Sequence, residues 1–516
     1  MDMFCLRFMR HCAAILIALN FLSPVVFAQT ENAKLTVTCD SRLGPASQIE
    51  DFLGAGGGFY YVSSDPANPV LKAWRRIGMK WTSFETLHVE DPAERWIVVT
   101  RAAGGEIHVD FSDYDRYVRN YLGNLQAKLF VYLGGVPRIL SLHPEDSENY
   151  HIYLPRDLNE WEHFVFTVVH HNVADLGLRG LTYGCLGEPD HMDSWRGSGS
   201  GIPAQTLREH VELYAATYRG VKTADPTAKI GGPSTMAWKA TKWTKSPPFV
   251  LADWIRELAR YNTRSSLGKM VGLDYISWQD YGWSGENLSD GADAVSQMLR
   301  ENGFDPRTPK MLVGSGWGSW GSDYLDDDMR SYQRASYVAH NFLREFRDPR
   351  HRKFAQALYY NFFFNDDWLI LGDYDTEIVG RPSLVSLSKA GKLSFSPSYA
   401  VFEMMSAMLR GDIVESATPT DNLEILATRD DLSQTILIAV NNHSPDAAKV
   451  VLTVKEIPFK SGWAHCEIRR IDSHNSHDGQ GLQKPTGDWF KLTGGELRLP
   501  LDLEPYATVQ ISISSA

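Results

Sequence analysis

The sequence predicts a (β/α)8 barrel joined to a C-terminal β-sandwich, and three observations carry that fold class. From about residue 50 to about 370, short apolar runs alternate with longer stretches of helical periodicity, giving eight strand-helix units. No glycine-rich phosphate loop opens a helix, and GAGGG at 54–58 lacks the spacing of a dinucleotide fingerprint, which argues against an open doubly wound sheet. After about residue 392 the pattern changes to short alternating or apolar runs such as LEILATRD, QTILIAVNN and KVVLTVKEI, with turn residues between them.

The elements follow in order. Residues 1–28 have the form of a signal peptide: Arg7 and Arg10 precede an apolar stretch from Cys12 to Leu22, and small residues close at Ala28. That stretch is shorter than the roughly 20 residues of a bilayer span, so the reading is cleavage and export to the periplasm or medium. AKLTVTCD, within 29–48, supplies an N-terminal strand to the sandwich; the barrel spans 49–391 and the sandwich 392–516. Barrel strands are expected near 52–58, 79–85, 128–134, 181–187, 228–232, 272–279, 310–316 and 355–363. The helix after the third opens at Asp157, with Glu160 as the partner in an acidic capping box, and ends at Gly177. Thr206 with Glu209 is expected to open the helix after the fourth.

Charge and composition exclude several classes. A formal net charge of −12 makes nucleic acid and anionic membrane poor partners. Cys39, Cys185 and Cys466, the cysteines left after the leader, are far apart and form no CxxC, so neither a disulfide framework nor a cysteine metal site is indicated. The chain has 15 Trp and 12% aromatic residues, which suits sugar-stacking surfaces and also a large core.

In such a barrel, chemistry sits at the C-terminal ends of the strands. Glu188, before Pro189 at the end of LTYGCLGEPD, stands at the end of strand 4 and is the candidate general acid. Strand 6 ends in SWQDYG, offering Gln279 and Asp280; strand 2 ends in Ser83-Phe84-Glu85. Trp278, Tyr281, Trp283, Trp317 and Trp320 gather at strand ends 6 and 7, where flat rings would stack on sugars. Asn361 on strand 8 is a candidate for sugar hydrogen bonding.

Gly187-Glu188-Pro189, together with IGMKWTSFE at 77–85, KLFVYLGGVP at 128–137, LDYISWQDYG at 273–282 and IRRIDSHNS at 468–476, resembles the clan A glycoside hydrolases, and most of all family 39, the family of β-xylosidases and α-L-iduronidases. The resemblance implies a carbohydrate substrate, no cofactor, and Glu188 as the acid/base. It also implies a nucleophilic glutamate in a Thr-Glu-Trp ending strand 7, where this chain has Ser315-Gly316-Trp317. Gly187 stands where the family has asparagine, and the strand 6 histidine and the strand 2 Arg-Phe-His pattern are replaced as well.

Glycine is neither nucleophile nor base, so double displacement through that residue is excluded. A retaining site places its two carboxyls roughly 5 to 5.5 Å apart, and an inverting one leaves more room for water. The expectation is a secreted glycosidase cleaving O-glycosidic bonds, with Asp280 as first choice of second carboxylate and Glu85 as second, giving inversion. Substrate assistance, or a different reaction on sugars, stays open, as does a non-catalytic carbohydrate-binding protein on a degenerate barrel. No metal site is expected: SDYLDDDMR at 322–330 lacks the spacing of a calcium loop, and His474 and His477 belong to the family-like His-Ser-Asn stretch. His170 and His171 lack an HExxH arrangement and are read as structural.

Overall fold

The computed structural model describes residues 33–47, 50, 53–55, 67–85, 97–191, 194–239, 249–265, 270–280, 288–305, 310–317, 331–347, 354–359, 361–365, 383–387, 393–459, 462–474 and 485–515. Residues 1–28, expected to form a signal peptide, and the acidic run 322–330 lie outside them. No helix among the described residues is long and apolar enough to cross a membrane.

Eight parallel strands close into a barrel. They are strand 1 (Gly54–Ala55), strand 2 (Trp81–Glu85), strand 3 (Lys128–Leu133), strand 4 (Thr182–Cys185), strand 5 (Lys229–Thr235), strand 6 (Tyr275–Asp280), strand 7 (Lys310–Trp317) and strand 8 (Phe354–Tyr359). Each is followed by a helix, from Pro69–Arg76 after strand 1 to Ser331–Phe346 after strand 7 and Pro397–Met408 after strand 8. The two faces of strand 3 show the division of labour. Leu129, Val131 and Leu133 enter the core under the helices, whereas Phe130 and Tyr132 fill the barrel with Tyr275 and Trp81. Interior crowding dictates Gly231: a Cβ there would lie 2.0 Å from the Tyr275 carbonyl oxygen.

Outside the strands, the helices Leu158–Ala174 and Pro203–Ala224 pack at close range. A Cβ on Gly220 would meet the Glu162 carbonyl oxygen at 2.6 Å, so glycine sets this approach. Beside it, buried Trp161 donates its indole N–H to Thr217 Oγ1 at 2.8 Å, satisfying the one polar atom of a large apolar group.

Two cap readings are corrected. Asp157 caps as expected, accepting from the Asn159 amide at 2.8 Å, but Glu160 does not return the bond; it pairs with Arg101 at 2.8 and 3.0 Å. The Pro203–Ala224 helix starts three residues before Thr206, with Pro203 in its first turn. Proline is already set at a helical φ there and lacks only an N–H that would have been orphaned. Thr206 is therefore inside the helix, and Glu209 accepts instead from the Ser198 amide at 2.8 Å. Strand 8 is also shorter than expected: Asn361 opens a separate strand, Asn361–Asn365, paired in parallel with Ser383–Leu387.

The C-terminal part is one nine-stranded sheet. Strand Ala33–Pro45 joins it, antiparallel to Asp412–Ala417 and parallel to Ala448–Lys455. Strict alternation of buried and exposed residues along Leu497–Leu503 shows one face turned to a core shared by Leu35, Val37, Ile425, Ile438, Leu452, Leu499 and Ile511. Cys39, Cys185 and Cys466, the cysteines among the described residues, are free and buried.

Helix Ser331–Phe346 and helix Pro397–Met408 both meet the sheet, the latter where Gln510 donates to the Met404 carbonyl at 3.3 Å. Asn441, fully buried on strand Thr435–Asn442, accepts from Ser336 Oγ and Thr508 Oγ1, both at 2.9 Å, and donates to the Ser336 carbonyl at 3.1 Å and Glu424 Oε2 at 3.0 Å. The other Glu424 oxygen lies 2.6 Å from His340 Nδ1, and His340 stacks on His443 with centroids 4.4 Å apart. Burial, helped by the nearby His340, holds His443 down at about 3.

Candidate active site

Three neighbouring strand ends converge on Glu188. Strand 4 stops at Cys185, and the chain turns through a left-handed residue, Glu188 at φ 53°, whose amide donates to the Ser234 carbonyl at 3.0 Å. Ser234 at the end of strand 5 is left-handed too, at φ 59°, and its hydroxyl lies 2.7 Å from Tyr132 Oη on strand 3. From strand 6, the buried Gln279 donates its Nε2 to Glu188 Oε1 at 2.6 Å. Ser194 Oγ donates to Glu188 Oε2 at 3.3 Å. The residue after Ser194 anchors this loop: Trp195 is fully buried and donates its indole N–H to the Thr206 carbonyl at 3.1 Å.

Glu188 is half-buried, an acceptor at both oxygens and fixed in orientation by two side chains from different segments. A defined position with partial exposure is what a proton-transferring carboxylate would need. Asp190, two residues on, is 4% exposed and accepts from the Met236 amide with both oxygens, at 3.0 and 3.1 Å. Burial, reinforced by the Glu188 charge and opposed by the Met236 and Ala237 amides, pushes Asp190 up to about 7. Gly187 leaves room beside this group, since a Cβ there would be 4.0 Å from the Tyr132 ring.

The other expected site residues divide into three sets. Gln279 joins Glu188 directly. Trp278 does not: it is 0% exposed and belongs to the core under the helices, its ring 3.6 Å from the Cβ position of Gly291 on helix Leu288–Glu301. Neighbours along a strand point to opposite faces, so with Gln279 turned into the barrel Trp278 must turn out. This replaces the stacking role with a packing one. The third set lies outside the described residues, entirely for Tyr281, Trp283 and Trp320, and in their side chains for Glu85, Asp280, Trp317 and Asn361. Their backbones show Glu85 closing strand 2, and Asp280 closing strand 6 in register with Trp317 on strand 7, one residue after Gly316.

Asp190, Ser194, Ser234 and Tyr132 were not anticipated. Asp190 had a visible signal, an acid two residues after Glu188 in the same turn; Ser194 had none. Of the discounted histidines, His171 bridges Asp115 at 2.6 Å and Asp175 at 2.7 Å. One group among the described residues, in the sheet domain, could offer three metal-ligand atoms: Asp472, His474 and Glu504, within 4.8 Å of one another. His474 Nδ1 is paired there with Glu504 at 2.6 Å, and the His474 amide with Asp472 at 3.1 Å.

Residues 81–301, from strand 2 to the helix after strand 6, match the family model of Glycosyl hydrolases family 39. The chain is 27% identical over 130 residues to the β-xylosidase of Geobacillus stearothermophilus, an alignment spanning 24% of either chain. Among solved structures it is similar to the GH39 enzyme from Xanthomonas axonopodis pv. citri, with TM-score 0.67 and 15% identity, covering 96% of this chain and 100% of that one. A monomeric β-xylosidase from Caulobacter crescentus is similar as well, at TM-score 0.67 and 17% identity over 93% of this chain and 99% of that one. At such identities the structures speak for the fold, and the family model and the β-xylosidase for the sequence of the barrel. Residues 81–301 are thus similar in sequence to Glycosyl hydrolases family 39, and the chain shares the fold of the GH39 structures.

Proposed function

We propose that the protein is an exported glycosidase that cleaves O-glycosidic bonds of an oligo- or polysaccharide, with Glu188 as its general acid. The observation that carries the proposal is the fixing of the Glu188 carboxylate by Gln279 and Ser194 at the C-terminal end of strand 4. A carboxyl so held delivers a proton to a leaving sugar oxygen, a step worth about 10²–10⁴ in rate. With Gly316 at the usual nucleophile position, the second carboxylate comes from another strand end. Asp280 is the first choice and Glu85 the second, each activating water on the opposite face of the sugar and inverting the anomeric centre.

The test is sugar release from aryl glycosides, xylosides first in view of the β-xylosidase relatives, and from plant and bacterial polysaccharides. Glu188→Gln is run beside the wild type. Loss of turnover by about 10²-fold or more, with sugar affinity kept within a few-fold, supports the assignment. The glycine at position 316 favours a second reading, a carbohydrate-binding barrel without catalysis. Sugar binding with no release from any substrate would establish that reading, and unchanged release by Glu188→Gln would remove Glu188 from the mechanism.

A further inference from the structure

Two carboxyl groups, not one, occupy the end of strand 4. The segment 188–190 is stitched to the segment 234–236 by two links running in opposite senses. The Glu188 amide donates to the Ser234 carbonyl, and the Met236 amide donates back to both oxygens of Asp190. Between the two links stands Pro189, which has no amide of its own to give. Glu188 and Ser234 both sit in left-handed backbone, a conformation that is costly for a non-glycine residue and persists only when its surroundings enforce it. The surroundings that do so here are these links and the Tyr132–Ser234 contact.

We propose that Asp190 is the positioning residue of Glu188, clamping the end of strand 4 onto the end of strand 5 and, as the second carboxyl of the pair, setting the pH range over which Glu188 works. The proposal rests on the reading of Glu188 as the general acid. Among the described residues, the charged group facing Asp190 is Glu188, which disfavours its ionisation; the Met236 and Ala237 amides from the strand 5 end favour it, and His191 is the next titratable group along its own turn. Burial outweighs the amides, so Asp190 keeps its proton up to about 7, and the Glu188 charge adds to that hold.

The experiment compares Asp190→Asn and Asp190→Ala with the wild-type full chain. Asn keeps an acceptor oxygen for the Met236 amide, so kcat at pH 6 should stay within a few-fold. The alkaline limb of kcat/KM should move down by about half to one pH unit, because no second charge develops beside the acid. Ala removes the acceptor as well, and kcat should fall at least about tenfold with KM within twofold, the mark of a misplaced catalytic group. Wild-type kcat in both variants, with the alkaline limb unmoved, would overturn the proposal.

Failure of Asp190→Ala to fold leaves the pH limb of Asp190→Asn as the decisive reading. Absence of wild-type turnover on every glycoside would count against the glycosidase reading alone, because the clamp has a readout without turnover. Infrared titration of the carboxyl band should show a group losing its proton near neutral pH in the wild type. That step should be missing in Asp190→Asn and shifted to lower pH in Glu188→Gln. A step indifferent to Glu188→Gln would show that the two carboxyls are not coupled and would equally overturn the proposal.

Discussion

Asn441 and Glu188 are both polar side chains held by several partners from distant segments, and they are held to different ends. Asn441 is fully buried and makes all four hydrogen bonds its amide allows, to Ser336, Thr508 and Glu424. Glu188 is half-buried, sits on left-handed backbone, and has two described side-chain partners for a carboxylate with about four acceptor sites. The network between barrel and sheet is saturated, as a joint must be, because every unpaired group there would cost its full desolvation. The strand 4 end keeps acceptor capacity and backbone strain in reserve, as a site must that is to meet a substrate.

The joint should break hardest. Glu424→Ala removes the partner of His340 at 2.6 Å and of the Asn441 amide at 3.0 Å, leaving both buried without replacement. Each buried group left without its hydrogen-bond partner costs about 1 to 3 kcal/mol. Chemical denaturation should register a loss of that order, while turnover per folded molecule stays at the wild-type value. A loss of turnover without loss of stability would mean that the joint belongs to the site.

The two regions should also respond to pH with opposite signs. Asp190, pushed up to about 7 by burial and the Glu188 charge, keeps its proton where the unfolded chain has lost it. Stability from this group therefore falls as pH rises from about 4 through about 7, by about 2 kcal/mol between pH 5 and 7, and Asp190→Asn should flatten that slope. His443, held down at about 3 by burial and by His340, is neutral in the fold where the unfolded chain would take up a proton. Its contribution is complete above about pH 6.5 and is lost as pH falls toward 3, by about 2 kcal/mol already at pH 5; His443→Gln should soften the acid side of the profile. Denaturation midpoints across pH 4 to 8 for both variants check the signs, and parallel slopes would refute the contrast.

Much of this architecture was legible because barrel strands leave periodic traces. Strands 3 to 6 fall within the expected segments to a few residues, since their helix-facing sides need apolar residues whatever the loops do. The position of Glu188 just past strand 4 was legible for a local reason, an acid before proline at the end of an apolar run. The failures come from information that is not local. Which parity of SWQDYG faces inward is fixed by Gln279 meeting Glu188, 91 residues away in the chain, so Trp278 was assigned to the wrong side. Asp190 is buried by the Met236 amide, 46 residues on, and nothing in LGEPD foretells that partner. The Pro203–Ala224 helix starts early because proline at its first turn competes successfully with the Thr206 signal.

Gln279 is the smallest and sharpest instrument for separating site from joint. Its Nε2 reaches Glu188 Oε1 at 2.6 Å, and it is 2% exposed, so the variant alters the position of one carboxylate inside an otherwise packed strand end. A hydrogen bond to a charged group is worth about 1.5 kcal/mol at the low end, which converts to about tenfold in rate if the bond reaches that strength only as the proton leaves the carboxyl in the transition state. Gln279→Ala should therefore lower kcat about tenfold with KM nearly unchanged. It should move the denaturation midpoint far less than Glu424→Ala does, although both variants break a hydrogen bond to a glutamate. Gln279→Glu carries the argument further, because it places a like charge where a donor stood and raises the proton affinity of the pair. The pH optimum of turnover should rise in that variant. An optimum that stays in place would mean that Gln279 merely fills space, and that the proton delivered to the leaving group does not reside on Glu188.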